Sequence, residues 1–251
     1  MSDVTPHEPV FGERRPSIAL AALAFIVLNI GLASSLVIAA YKFDLTLFVS
    51  GGGLIDRGPD AAGLLRLGSL VDMLGYLALV PVALYLHGRI SAALPARLRD
   101  LGLAGMLTFS ALGFAIVGAI GAVTLASAGA WLLGAAATGS GTPAVARLQF
   151  GALEKLVFVG LWGCLEQVLL GTWVIGVSWV VRAEARAFAW LGGFVGTGAL
   201  AYAARTGLTG ETPLPISGPA DVFIIAAIGA LPLWVAWLGL RLWRGPRPIK
   251  D

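Results

Sequence analysis

The chain has 251 residues, of which 58% are apolar and 12% charged, with a mean hydropathy of +0.87, against the roughly 25% of charged residues usual in soluble domains. So few charges cannot cover a water-soluble fold, and the net charge of +3 is spread over short loops without interleaved exposed aromatics, which argues against nucleic acid as a partner. The single cysteine, Cys164, excludes an internal disulfide and a CxxC metal knuckle.

In chain order, residues 1–17 are polar and proline-containing and read as a short mobile tail with an interfacial stretch near Phe11. Arg14 and Arg15 followed by an apolar run resemble a secretory signal. The run continues from Ile18 to Ala40, however, a full hydrocarbon thickness at about 1.5 Å per residue, so it is expected to be an uncleaved first span, 18–40. Residues 41–63 hold Gly51, Gly52, Gly53 and Pro59 and read as an external loop, with Leu45 to Val49 able to lie on a surface. Spans two and three, 64–86 and 103–125, form a hairpin around Arg89, Pro95, Arg97 and Arg99. Residues 126–149 begin apolar, with Trp131, and turn into the breaker-rich run Thr138 to Pro143, a second external loop. Span four, 156–181, is the longest apolar stretch, expected to tilt or protrude. Span five covers 188–204, the proline-containing loop 206–219 follows, and span six covers 222–242. The expected fold is all-α, an integral membrane bundle of six transmembrane helices over 18–243 with a basic tail at 244–251.

Orientation follows from the basic residues near span ends, which are held on the cytoplasmic side. Arg14, Arg15, Arg89, Arg97, Arg99, Arg182, Arg186, Arg241, Arg244, Arg247 and Lys250 fall on one side, and only Lys42, Arg57, Arg66, Arg147, Lys155 and Arg205 on the other. Both termini are therefore expected in the cytoplasm. Trp179, Trp190 and Trp243 end spans four, five and six on that same side, where amphipathic indoles prefer to sit.

A charged group inside a membrane helix costs about 2.5–3.5 kcal/mol on insertion scales, so each one needs a partner or a hydrated site. The candidate polar cluster is Asn29 in span one, Asp72 and Tyr76 in span two, and Lys155, Glu166 and Gln167 in span four. In span two, Ser69, Asp72, Tyr76, Ala83 and His87 follow three-and-four steps along one face. In span four, Lys155 and Glu166 are eleven residues apart, close to three α-helical turns, which puts them on one face; Lys155 is expected at about the depth of Asp72 from the outer surface, and its side chain can snorkel, which makes Asp72 and Lys155 a candidate ion pair. Two readings of the cluster stay open. It is interhelical glue with Glu166 held neutral, or a small hydrated cavity where Glu166 takes a cation, a proton or a polar head group.

Absences narrow the chemistry further. His7 and His87 are the only histidines and neither is central in a span, so paired axial haem ligands, an HExxH zinc site and a histidine-activated serine are not expected. Gly51-Gly52-Gly53 lacks the lysine of a phosphate-binding loop, and Cys164 reads as a small buried residue. No cofactor or metal is expected. Ala111, Ala115 and Ala119 in span three, and Gly192 with Gly196 in span five, read as packing positions. Pro81 and Pro232 should bend spans two and six.

Arg66-Leu-Gly-Ser-Leu-Val-Asp72 running to Ala83-Leu-Tyr-Leu-His87, the run from Gly160 to Gly176, and Leu191-Gly-Gly-Phe-Val-Gly-Thr-Gly-Ala-Leu-Ala-Tyr202 together resemble a bacterial six-span membrane-protein family, domain of unknown function 4386. The resemblance implies a bundle and its topology and carries over no catalytic residue. The expectation is thus a non-enzymatic, multi-pass protein of the bacterial inner (plasma) membrane. Its partners would be membrane lipid and a small apolar or lipid-like ligand or another membrane protein. The alternative is a proton- or cation-coupled transport component using Asp72 and Glu166, and the lack of a visible internal repeat counts against that.

Overall fold

The computed structural model describes residues 9–44, 53–57, 59–138, 143–213 and 216–244. Six helices among them are long and apolar enough to cross a membrane: α1 (Pro16–Ala40), α2 (Pro59–Ala93), α3 (Leu103–Ala136), α4 (Ala144–Ala183), α5 (Arg186–Thr209) and α6 (Pro219–Arg244). All regular structure among the described residues is helical. His7, Leu45 to Val49, Gly51, Gly52, Arg247 and Lys250 lie outside the described residues.

Local chemistry sets the helix ends. Pro16, Pro59 and Pro219 open α1, α2 and α6, where the missing N–H is no loss. Gly210, at φ 70°, closes α5 in the left-handed conformation that a Cβ would strain. Pro232 lacks the N–H that would continue the ladder, and α6 is divided at Ala230 into Pro219–Gly229 and Leu231–Arg244. Pro81 lies inside an unbroken α2.

The helices pack in a ring in which each touches its sequence neighbours, and α1 closes the ring against the second half of α6. The first half of α6 lies on α5 instead. The bundle is therefore closed at the end that carries residues 9–15 and 242–244, here the proximal end, and less completely closed at the distal end. One aromatic from every helix meets in the proximal core: Phe25 and Tyr76 touch Phe114, Phe114 stacks with Trp173, Trp173 meets Trp234 edge-on at 5.6 Å, and Trp234 stacks on Phe188 at 5.1 Å. Such pairs contribute about 0.5–1.5 kcal/mol each beyond their burial, and they fix the rotation of all six helices at once.

Two expectations are corrected. The N-terminal tail is not free from Pro9 onward: Val10 and Phe11 are buried, the Glu184 carboxylate accepts from the Val10 N–H at 2.8 Å, and Arg89 donates to the Pro9 and Val10 carbonyls. Phe11 seated edge-on against Phe188 supplies the apolar burial that a polar tail was not expected to have. The second external loop, expected at 126–149, is almost all helix, because α3 continues to Thr138 and the next helix opens at Pro143. At about 1.5 Å per residue, α3 with 34 residues and α4 with 40 greatly exceed the roughly 30 Å of a hydrocarbon core. The extension is stable because it has cover: Leu132, Leu133 and Phe150 form a second, distal core with Tyr41, Leu54, Ala61 and Leu65. Inside that core the Tyr41 hydroxyl donates to Glu154.

Candidate functional site

Between the two cores lies a layer where helical geometry changes. Ile26–Ala33 of α1, Leu125–Gly129 of α3 and Lys155–Glu166 of α4 are π-helical, and α6 breaks at Ala230. A π-turn closes i→i+5 hydrogen bonds, widens the helix and turns side chains away from the direction that α-periodicity gives them; such turns recur at functional sites.

Two polar links cross this layer. Asn29 Nδ2 donates to Asp72 Oδ1 at 2.5 Å, joining α1 to α2. One turn further along α2, the Tyr76 hydroxyl donates to Glu166 Oε1 at 3.0 Å, joining α2 to α4. Glycines make room for both. A Cβ on Gly75 would stand 2.8 Å from the Asn29 backbone nitrogen, and one on Gly118 would enter the Tyr76 ring at 2.2 Å. Gly121 in the same way receives the Trp162 indole, whose Nε1 donates to the Gly118 carbonyl.

The links are incomplete. Among the described residues, Glu166 Oε2, Gln167 Oε1 and Ser69 Oγ are buried and have no hydrogen-bond partner, a condition that leaves desolvated polar atoms at a cost of about 1–3 kcal/mol each. They border two cavities. One, of about 190 Å³, is lined by Asn29, Ser34, Ser69, Asp72 and Leu125. The other, of about 450 Å³, is lined by Glu166, Gln167, Tyr202, Ile225, Ile228 and Gly229. Tyr76, Phe158 and Trp162 line both and so form the wall between them. Exposed Ser34 at one rim and exposed Gly229 at the other carry the cavities to the outside of the bundle at mid-helix, on the side where the first half of α6 leaves α1 uncovered.

Chemically, these are apolar, aromatic-walled recesses, each with one carboxyl group and one amide in its lining: Asp72 and Asn29 in the smaller, Glu166 and Gln167 in the larger. A carboxylate there accepts hydrogen bonds and a protonated carboxyl also donates one. Among the described residues no group of three or more His, Cys, Asp or Glu is gathered to hold a metal. No family model, curated protein or solved structure matches the chain.

Of the candidate residues, the structure brings Asn29, Asp72, Tyr76, Glu166 and Gln167 to this layer and leaves Lys155 out. Lys155 is exposed, no ion pair joins it to Asp72 among the described residues, and Asp72 bonds Asn29 instead. The reason is the π-segment: with more than 3.6 residues per turn between Lys155 and Glu166, eleven residues no longer return to one face. The span-two stripe holds from Ser69 through Ala83, with Ser69, Tyr76 and Ala83 buried and Asp72 half-buried, while His87 is exposed and bonds Thr108 at 2.9 Å. Cys164 is half-buried, with Sγ 4.0 Å from the Ala203 carbonyl oxygen. Sequence reasoning missed Ser69 as an orphaned hydroxyl, Phe158 and Tyr202 as cavity wall, and Gly75, Gly118 and Gly121 as seats. The glycines carried a signal, each being one small residue opposite a large one, but which residue each faced depends on helix rotation.

Proposed function

We propose that the protein is a multi-pass component of a bacterial inner membrane, with its proximal end cytoplasmic, that binds a lipid-like molecule in the mid-membrane recess. The observation that carries this reading is the larger cavity, about 450 Å³ with Ile225, Ile228 and Trp162 along its length and the unpartnered Glu166 Oε2 and Gln167 Oε1 at its inner end. Ligand sites combine largely apolar walls of this size with a few polar groups that fix orientation. An apolar chain would lie along the wall, and a hydroxyl or amine on it would satisfy Glu166 and Gln167. The chemistry is recognition, with no group transfer.

The test is photocrosslinking in native membranes with a long-chain alcohol bearing a photoreactive group. Adducts are expected on Phe158, Trp162 or Ile225 and should fall sharply in Ile228→Trp, which fills the recess. Adducts spread evenly over lipid-facing residues and unaffected by Ile228→Trp would overturn the reading.

A second reading, proton- or cation-coupled transport, is favoured by one feature. Two carboxyl groups, Asp72 and Glu166, border adjoining cavities on either side of Tyr76, and broken or irregular helices at mid-membrane are where transporters hold ions. Under that reading Glu166→Gln abolishes pH-driven uptake in vesicles while leaving the folded protein in the membrane; under lipid binding there is no such uptake, and crosslinking survives Glu166→Gln because glutamine can still donate and accept hydrogen bonds.

A further inference from the structure

A separate recess opens at the proximal rim between α4 and α5, about 420 Å³ and lined by Ile175, Ser178, Trp179, Arg182, Arg186 and Trp190, among others. Its composition is graded. The end towards the membrane centre is apolar, with Ile175, Ala189 and Gly193, and the proximal end carries the two guanidinium groups. Trp179 is 44% and Trp190 71% exposed, as expected of indoles at the level of lipid head groups.

The arginines are not used up by the fold. Arg182 lies over the Trp179 ring at 4.3 Å and donates one N–H to the Trp179 carbonyl at 2.6 Å, which steers the guanidinium and leaves most of its five donors unused. Neither Arg182 nor Arg186 makes an ion pair among the described residues. The nearest carboxylate in sequence, Glu184, is engaged with the Val10 and Phe11 backbone N–H groups. Ser178, which also lines the recess, has its Oγ buried against Gly192 with no hydrogen-bond partner among the described residues.

We infer that this recess binds an anionic membrane phospholipid, its phosphate on Arg182 and Arg186 and one acyl chain along Ile175 and Gly193. Charge complementarity selects the occupant. Two guanidiniums without an ion-pair partner among the described residues match a phosphate that has no cationic group of its own to neutralise it, and the apolar continuation of the recess matches the acyl chain that a free phosphate lacks. The anionic lipids of a cytoplasmic leaflet attract basic groups by about 1 kcal/mol per residue. This inference rests on the cytoplasmic placement of the proximal end proposed above and is independent of the mid-membrane recess, with which it shares no lining residue.

The experiment is native mass spectrometry of the full chain released from micelles containing phosphatidylglycerol and phosphatidylcholine in equal amounts, beside an Arg182→Gln/Arg186→Gln variant. The wild type should retain phosphatidylglycerol selectively, and the variant should bind it about thirtyfold more weakly, with phosphatidylcholine unchanged. Arg186→Gln alone, which removes an exposed side chain without a partner, should show an intermediate loss if the double variant does not fold. Quenching of tryptophan fluorescence by brominated phosphatidylglycerol should weaken in Trp190→Phe. Equal retention of the two lipids, retention indifferent to both arginines, or displacement of the lipid by millimolar inorganic phosphate would overturn the assignment.

Discussion

The proximal core and the mid-membrane layer are built from the same six helices, yet one is filled and the other hollow. In the proximal core, α-helical periodicity is kept, and an aromatic from each helix meets its neighbours so that Trp173, Trp234, Phe114 and Phe188 are all almost fully buried. In the layer above it, three helices widen into π-turns and α6 breaks. Polar side chains there meet pairwise across cavities, and three of their atoms stay unpartnered. The comparison teaches that polar residues mark the layer but do not hollow it. Departure from helical periodicity does, because it turns polar groups inward while preventing the close interdigitation that would fill the space around them.

The contrast can be broken by truncation. Trp234→Ala in the proximal core should cost about 3–5 kcal/mol in detergent unfolding, as removal of a large buried aromatic does, whereas Phe158→Ala at the cavity wall should cost about 1 kcal/mol. Similar losses would mean that the layer is packed as tightly as the core. The seat of the Tyr76 ring comes next. Gly118→Ala puts a Cβ where that ring lies, and overpacking of this kind costs about 1–3 kcal/mol; Gly105→Ala, which meets nothing within 4 Å, should leave the melting temperature unchanged or slightly raised.

The Asn29–Asp72 link sharpens the comparison on its polar side. Asn29→Ala should destabilise by about 1–3 kcal/mol because it strips Asp72 of its partner, and the effect should shrink in an Asp72→Leu background, where no acceptor is left to strand. Plain additivity of the two changes would show that the bond contributes nothing. The smallest effect is expected at Lys155. Being exposed and off the polar layer, its replacement by glutamine should shift stability by no more than about 0.5 kcal/mol, and a larger loss, coupled to Asp72, would restore the ion pair that the π-turn has removed.

Six apolar runs, their breakers and the candidate polar residues were all legible in the sequence. Run length against bilayer thickness is a one-dimensional property, and Pro232 acts on its own helix, which divides next to it at Ala230. Residues Asn29, Asp72, Tyr76, Glu166 and Gln167 could be picked out because polar groups in apolar runs are conspicuous one at a time. Their pairing could not be read. Asp72 was matched to Lys155 by depth, and Lys155 was put on the inward face of Glu166 by an α-helical count that fails across Lys155–Glu166; the i→i+5 hydrogen bonding that invalidates the count has no composition of its own. The helical continuation of 126–149 was equally hidden, since Leu132, Leu133 and Phe150 find cover only when Tyr41 and Leu65 come to them from other helices. Local residue chemistry thus determined where the chain is helical and apolar, while helix rotation and close approach, set by glycines such as Gly75 and Gly118 against one specific neighbour each, decided which polar groups meet and where space is left between them.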